Sequence, residues 1–255
     1  MANPKRQVTA ERGLYLYGVS RASGKKAGPA MIASPGIDGV NAVKTVACGD
    51  FICWVSEVDH VSFAQAVGSN TENLEWLALH GVRHQQVVGE VAANVAIVPA
   101  RFGTIFSGEP ALVKNVLGRK SALAKVFTRV TDADEWGVKV FSEMKAAPAV
   151  VSQARSGKEY LQKKAAQIKK RPERNDAELP GLVTALEKVA TDSAPSGKVS
   201  GTQPNLLWQG TFLVARSRRK QWDTVLQEFV ERWYGSRRIE VNGPWPPYSF
   251  SSDAD

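Results

Sequence analysis

Residues 43–58 read VKTVACGDFICWVSEV, in which two apolar, β-branched runs flank the dipeptide Gly49-Asp50. Short runs of this composition are typical of β-strands. Glycine in the first central position of a two-residue loop favours a type II′ turn, which joins two antiparallel strands. The stretch therefore predicts a β-hairpin with strands over 43–48 and 51–58.

The register of this hairpin decides the surroundings of its two cysteines. It places Cys48 opposite Phe51 and Cys53 opposite Val46, with all four side chains on one face of the sheet. The cysteines are then not directly opposite each other, and their neighbours are apolar. We therefore expect small buried side chains rather than a redox pair, and two cysteines do not make a disulfide framework.

The hairpin belongs to a larger sheet within residues 1–108. An aromatic and aliphatic run over 14–19 predicts a strand before it, and an apolar run over 95–98 predicts a strand after it. Asn70 is a good N-cap for a helix between them. Four strands and one helix predict an α+β domain with a modified ferredoxin-like antiparallel sheet, in which the Gly-rich loop 20–39 replaces the first crossover helix.

Residues 109–255 predict a second, helix-rich α+β domain. Apolar residues keep helical spacing over 109–130 and again after Ser217, which we expect to cap the second of these helices. A small antiparallel sheet is expected from strands near residues 136–141, 206–214 and 238–241.

Three other segments of this second half have a distinctive composition. Residues 155–192 are polar with a thin apolar stripe and are predicted to be helical, whereas the Pro/Ser/Gly stretch 194–204 is predicted to be a flexible connection. Residues 243–250, GPWPPYSF, contain three prolines. We expect this tail to lie extended across a surface, because proline interrupts regular elements.

Composition is that of an ordinary globular protein, and the charge is unevenly distributed. The chain has 255 residues, 43% of them hydrophobic, and a net charge of +8. Almost all of this excess lies in residues 109–255, which suggests nucleic acid binding as an alternative function. The aromatic pattern that single-strand binding on a ferredoxin-like sheet requires is absent. No apolar run is long enough for a membrane span and the first residues are polar, so we expect a cytoplasmic protein.

Few residues are suited to catalysis or metal binding. His80 and His84 have the i, i+4 spacing of a metal pair, but a zinc site needs at least a third ligand. Asp132, Asp134 and Glu135 fall between a predicted helix and a predicted strand, where solvated turn residues are common. Signatures of hydrolases, kinases and metalloproteases are absent. The sequence therefore predicts no enzyme, no catalytic residues, no cofactor and no metal site.

Several motifs occur in an order that resembles the gas vesicle protein L/F family. They are YLYGV (15–19), VSEV (55–58), WL (76–77) followed by His80, PARFGT (99–104), EWGVKV (135–140), Gly157 with YL (160–161), and GPWPPYSF (243–250). The resemblance runs from about residue 13 to residue 250 and leaves out the segments 20–39 and 194–204.

The resemblance implies an accessory or minor protein of gas vesicle formation with two α+β domains and no catalytic activity. It also implies protein partners, namely the small hydrophobic major shell protein and other accessory proteins, with neither nucleic acid nor membrane involved. The protein would act in the cytoplasm and at the gas vesicle. The oligomeric state stays open, as does the choice between the L and F branches.

Four residues are candidates for contact with a partner. Arg101 and Phe102 directly follow a predicted strand, and Trp245 and Tyr248 belong to the tail. Tryptophan and tyrosine are amphipathic and often anchor interfaces. The alternative is that Trp245 and Tyr248 hold the tail on its own domain.

Overall fold

The computed structural model describes residues 12–22, 32–69, 73–143, 178–194, 203 and 205–251. Contacts divide these residues into two compact units. The first unit contains the residues up to Glu135 together with those from Pro244 onward, and the second runs from Trp136 to Gly243. The first unit is therefore built from two separate parts of the chain.

The first unit is built on one antiparallel sheet, as the sequence predicts. Its strands are β1 (Arg12–Arg21), β2 (Lys44–Cys48), β3 (Phe51–Asp59), β4 (Ile97–Pro99) and β5 (Ile105–Phe106). Their order is β2-β3-β1-β4, and β5 pairs with β1 beside β4. This order is that of a ferredoxin-like sheet, and residues 32–43, between β1 and β2, form turns and bends rather than a helix.

The predicted hairpin is confirmed in register. Cys48 pairs with Phe51 and Val46 pairs with Cys53, and Gly49 has φ +63°, as a type II′ turn requires. Both cysteines are free and fully buried, with the two Sγ atoms 3.1 Å apart. Burial raises the pKa of both thiols, so they stay protonated inside the apolar layer.

Four helices cover this sheet: α1 (His60–Ser69), α2 (Leu74–Ala92), α3 (Glu109–Gly118) and α4 (Lys120–Val130). Residue Asn70, the predicted N-cap, lies outside the described residues. The observed cap of α2 is Asn73, whose side chain accepts a hydrogen bond from the backbone N–H of Trp76. Helix α1, which begins at His60, is not among the elements that the sequence predicts.

The helices form one layer on each face of the sheet. Tyr15 of β1 packs edge-on against Phe63 of α1, whereas Phe51 of β3 stacks on Phe127 of α4. The predicted helix 109–130 is two helices, since the chain breaks at Arg119 after Gly118.

The boundary between the two units also differs from the sequence interpretation. Helices α3 and α4 pack on β2, β4 and β5. The boundary suggested by the sequence, between residues 108 and 109, therefore falls inside the first unit. That the two units are independent domains stays a prediction.

The second unit has a four-stranded sheet with two helices. Its elements are β6 (Ala133–Ser142), α5 (Leu179–Val189), β7 (Asp192–Ala194), β8 (Leu206–Ala215), α6 (Arg219–Arg232) and β9 (Arg237–Trp245), and the strand order is β7-β8-β6-β9. Leu182 and Leu186 of α5 and Trp222 and Phe229 of α6 are buried in one cluster with the sheet. Most of the predicted helix 155–192 and of the predicted connection 194–204 lies outside the described residues.

Helix α6 has the predicted apolar stripe but a different start. Ser217 lies in a 3-10 turn, Arg216–Arg218, and α6 then begins at Arg219 with no side-chain cap. Trp222 and Phe229 are buried, but Val230 is 41% exposed because it lies at the edge of the stripe. Within the described residues, no helix combines the length and the hydropathy needed to span a membrane.

Candidate functional site

Four aromatic rings of the first unit meet where β1, α2, the loop after β4 and the tail come together. His84 is central: its ring centroid lies 5.7 Å from that of Tyr15, 6.0 Å from that of Phe102 and 6.2 Å from that of Tyr248. We call these four residues the aromatic cluster. It brings together two predicted contact residues, Phe102 and Tyr248, which are 146 positions apart in the sequence.

Hydrogen bonds fix the protonation state of the cluster. The backbone N–H of Gly103 donates to the Tyr15 hydroxyl oxygen at 3.2 Å, and that hydroxyl lies 2.8 Å from Nδ1 of His84. We infer that Tyr15 donates its proton to Nδ1, which leaves the histidine proton on Nε2. Burial lowers the pKa of His84 to about 4, and the backbone of Ala100 opposes this shift. Burial also raises the pKa of Tyr15 well above its usual range.

The histidine pair has no metal-ligand geometry. His84 is buried against Tyr15, while His80 stacks on the Trp76 ring at 4.1 Å and its Nδ1 lies 2.8 Å from the Trp76 carbonyl oxygen. Among the residues that the structure describes, no three His, Cys, Asp or Glu side chains are grouped as metal ligands. Each histidine of the pair has a packing role instead.

The segment PARFGT (99–104) holds Phe102 in place. The backbone N–H of Ala100 donates to the carbonyl of Tyr17, and the carbonyl of Thr104 accepts from the backbone N–H of Leu16, so both ends of the loop are tied to β1. Gly103 has φ +84°, a conformation that glycine adopts without strain. The turn directs Phe102 inward onto the cluster and leaves Arg101 exposed.

The tail is tied to the same unit by hydrogen bonds and one buried ring. Both the backbone N–H and the hydroxyl of Ser249 donate to the Glu135 carboxylate at 2.8 Å. Arg129 donates to the backbone carbonyl of Phe250, whose ring is buried. The Tyr248 hydroxyl donates to the side-chain oxygen of Gln85 at 3.2 Å.

The conformation of the tail corrects the expectation of a wholly extended segment. Strand β9 continues to Trp245, and Tyr248–Phe250 form a 3-10 turn. The four predicted contact residues therefore fall into two kinds. Phe102 and Tyr248 are packed in the aromatic cluster, whereas Arg101 is exposed and Trp245 is 48% exposed at the end of β9.

Glu135 and His84 are important residues that the sequence analysis assigned differently. The spacing of His84 from His80 suggested a metal pair, and Glu135 appeared to be one of three solvated acids. Glu135 is only 8% exposed, and burial raises its pKa although the bonds from Ser249 oppose the shift. The sequence could not reveal these roles, because the partners lie 69 and 114 positions away.

Two arginines of the second unit, Arg219 and Arg237, have partners within the unit. Arg219 lies over the Trp136 ring at 3.6 Å and pairs with Asp223. Arg237 lies over the ring of Trp233. These contacts favour a structural role for two arginines of the basic half of the chain, whose charge suggested nucleic acid binding as an alternative function.

The two antiparallel sheets and their helices define an α+β protein. Its candidate site consists of the packed rings of the aromatic cluster, with the exposed residues Arg101 and Trp245 as candidates for contact with a partner. Comparison with known proteins agrees with that architecture. The family described as "Gas vesicle synthesis protein GvpL/GvpF" matches residues 13–252. This chain belongs to that family, as the order of its motifs predicts, and family membership gives it a role in gas vesicle formation.

One relative covers nearly the whole chain, and a second covers about two thirds of it. Gas vesicle protein L of Streptomyces sp. (strain CB03234) is 27% identical over 266 aligned residues, which cover 97% of this chain and 96% of the relative. Gas vesicle protein F of the same strain is 28% identical over 186 residues, covering 66% of this chain and 75% of the relative.

A solved structure shares the fold. The crystal structure of the gas vesicle protein GvpF from Anabaena sp. PCC7120 superposes with a TM-score of 0.68 at 17% identity, over 94% of this chain and 96% of that one. This likeness confirms the predicted α+β fold class.

Proposed function

We propose that this chain is an accessory protein that binds the hydrophobic major shell protein, or other accessory proteins, while a gas vesicle is assembled. The proposal rests on one observation: separate motifs of the family meet at the aromatic cluster. YLYGV (15–19), PARFGT (99–104) and GPWPPYSF (243–250) each contribute a ring to it. These segments are distant in the sequence but contribute to one cluster, and together they therefore form a common surface.

The physical need for such a protein follows from the shell. A subunit that faces gas on one side exposes an apolar surface before assembly, and exposed apolar surfaces aggregate in water. A partner that covers this surface in the cytoplasm keeps the subunit available to the growing vesicle. The proposal requires protein contacts alone, without catalysis, nucleic acid or membrane.

We assign different tasks to the four candidate residues. Arg101 and Trp245 are exposed and are proposed to contact the partner. Phe102 and Tyr248 are packed against His84. We propose that they hold the exposed residues Arg101 and Trp245 in position. Trp245 is the stronger candidate of the exposed pair because a half-exposed tryptophan loses a large apolar area when it is covered.

Co-expression with the major shell protein tests the proposal. We expect the shell protein to become soluble and to co-purify with this chain. If the shell protein stays insoluble while this chain is folded and monodisperse, direct binding of shell subunits is wrong, and binding to other accessory proteins is the remaining form of the proposal.

A variant at Trp245 tests the assignment of the tail. The matched control is Tyr234, an aromatic residue of the second unit that is 90% exposed. We expect Trp245→Ala to lower the co-purified fraction of shell protein and the vesicle yield in cells, and Tyr234→Ala to leave both unchanged. Equal yields from the two folded variants would remove Trp245 from the contact surface.

A further inference from the structure

A cleft of about 660 Å³ lies along one side of α4, within the first unit. Three basic side chains line it, those of Arg119, Lys125 and Arg129, together with apolar residues that include Ala122 and Val126. Its volume is within the range of typical ligand sites. None of these five residues belongs to the aromatic cluster, so the cleft is a second candidate site. We call it the α4 cleft.

The spacing of the lining residues explains how the cleft is arranged. Arg119, Ala122, Val126 and Arg129 follow each other at intervals of three, four and three residues, which places them on one side of a helix. Lys125 lies next to this row, three residues after Ala122. At a rise of about 1.5 Å per residue, Arg119 and Arg129 lie about 15 Å apart along the helix axis. The cleft therefore has an apolar floor with an arginine at each end.

Both arginines are held in place by other residues of the first unit. The Arg119 guanidinium donates to the side-chain oxygen of Asn115 at 2.6 Å, and the Arg129 guanidinium donates to the backbone carbonyl of Phe250. Such bonds orient a long side chain before a ligand arrives, so binding loses less conformational entropy. A planar guanidinium also matches the two oxygens of a carboxylate. The two ends of the cleft are therefore preorganised for anionic groups.

The charge of the cleft favours a negatively charged ligand. The described residues that line it include no Asp or Glu, whereas Lys120, which does not line the cleft, pairs with Asp50 at 2.6 Å. Helix α4 begins at Lys120, and no side chain caps its first backbone N–H groups. These groups carry the partial positive charge of a helix N-terminus. The side-chain charges and the helix dipole therefore act in the same direction.

We propose that the α4 cleft binds an acidic, extended peptide segment of a partner protein. The spacing of the charges selects this ligand: an extended chain advances about 3.3 Å per residue, so about five residues reach from Arg119 to Arg129. A single carboxylate or phosphate contacts only one end of the cleft. The floor at Ala122 and Val126 accepts the methylene groups of glutamate side chains. This assignment goes beyond the proposed function and does not depend on binding of the major shell protein.

Isothermal titration calorimetry of the full chain with hexaglutamate tests the assignment. Hexaglutamine, which has the same length and no side-chain charge, is the control peptide. We expect hexaglutamate to bind at low ionic strength, with an affinity that falls as salt is added, because salt screens charges at a protein surface. We expect hexaglutamine not to bind. Absence of hexaglutamate binding, or equal binding of the two peptides, overturns the proposal.

Charge reversal at Lys125 locates the binding site. Lys125 is exposed, so the fold should tolerate Lys125→Glu, and circular dichroism checks this. The matched control is Lys220→Glu, which makes the same charge change at an exposed position of another basic run, residues 216–220. We expect Lys125→Glu to raise the Kd for hexaglutamate about tenfold, since repulsion replaces attraction, and Lys220→Glu to leave it nearly unchanged. Equal losses in the two variants would mean that the peptide responds to the net charge of the chain, which would refute the assignment.

A neutral substitution in the floor tests the shape of the cleft. Ala122 is partly buried, and Ala122→Gln adds volume there without changing the charge. We expect this variant, once circular dichroism shows that it is folded, to bind hexaglutamate more weakly than the parent chain does. An unchanged affinity would place the peptide elsewhere and contradict the proposal.

Competition by pyrophosphate distinguishes a peptide site from a phosphate site. Pyrophosphate is too short to reach both Arg119 and Arg129, so we expect it to displace hexaglutamate only at concentrations well above the Kd of the peptide. Displacement at concentrations below that Kd would make the cleft a site for phosphate groups and overturn its assignment to an acidic peptide.

Discussion

His84 and Tyr15 form a buried polar pair within an aromatic cluster. The imidazole accepts a hydrogen bond from the Tyr15 hydroxyl, and its low pKa keeps the ring neutral at physiological pH. The sequence reveals that His84 lies one helical turn from His80. It does not reveal that β1 supplies a hydroxyl to one of the rings, because that depends on the packing of α2 on the sheet.

The neutral state of His84 makes folding depend on pH. Between about pH 6.5 and pH 4 the unfolded chain binds a proton at this residue and the folded chain does not, so the free energy of unfolding falls as the pH falls. The shift from 6.5 to about 4 corresponds to a loss of about 3 kcal/mol. Urea titrations at several pH values should show a shallower pH dependence for His84→Gln than for the parent chain.

The control for this prediction is His60→Gln, which removes a histidine at the start of α1 that is less deeply buried. Its pH dependence should follow that of the parent chain more closely. If His84→Gln and the parent chain lose the same free energy between pH 6.5 and pH 4, the ring is not held neutral by its surroundings.

At the scale of elements, local sequence signals predict the strands of the hairpin more accurately than they predict where helices begin and end. The hairpin register follows from Gly49-Asp50 and alternation alone, and the structure reproduces it. The sequence analysis does not predict helix α1, although Asp59 accepts a hydrogen bond from the backbone N–H of Ser62, an arrangement typical of an N-cap. The helix break after Gly118 is also not predicted, because the apolar spacing continues across it.

The carboxylate of Glu135 is one of the groups that hold the tail in place. Glu135 accepts two hydrogen bonds from Ser249. We expect Glu135→Ala to release residues 246–251 and to lower the free energy of unfolding by about 1.5–3 kcal/mol, the range for hydrogen bonds to a charged group. Hydrogen exchange of the backbone amides in this segment provides the measurement, and faster exchange is the expected result.

Glu135→Gln is the informative companion variant. It keeps one oxygen acceptor for Ser249 and should therefore retain more protection than Glu135→Ala. Unchanged exchange in Glu135→Ala would mean that the buried ring of Phe250 and the Arg129 contact hold the tail without the carboxylate.

At the scale of the whole molecule, the second unit is an insertion within the first. The chain leaves the first unit after Glu135 and returns at Pro244. Strands β6 and β9 are neighbours at this point, and a Cβ built on Gly137 would lie 3.8 Å from the Asn242 carbonyl oxygen. The sequence could not locate this boundary, since helical spacing over 109–130 does not indicate which sheet the helices cover.

This architecture predicts that the second unit can be removed. A short Gly-Ser linker in place of residues 136–243 should join two ends that are already adjacent. We expect the shortened chain to fold with a cooperative thermal transition, because the described residues that form the core around Tyr15 and Trp54 all belong to the first unit. A transition without cooperativity would show that the first unit depends on the second, and the two units would then not be independent domains.

The return of the tail to the first unit determines when that unit is finished on the ribosome. Residues up to Glu135 emerge first, yet Tyr248 and Phe250 follow only after the whole second unit has been synthesised. At about 5–20 residues per second, this delay is on the order of ten seconds. For that period the surface of the first unit that the tail covers stays exposed, so the unit that is translated first is the last to be completed. A ribosome that stalls within the second unit therefore leaves a nascent chain whose aromatic cluster lacks Tyr248.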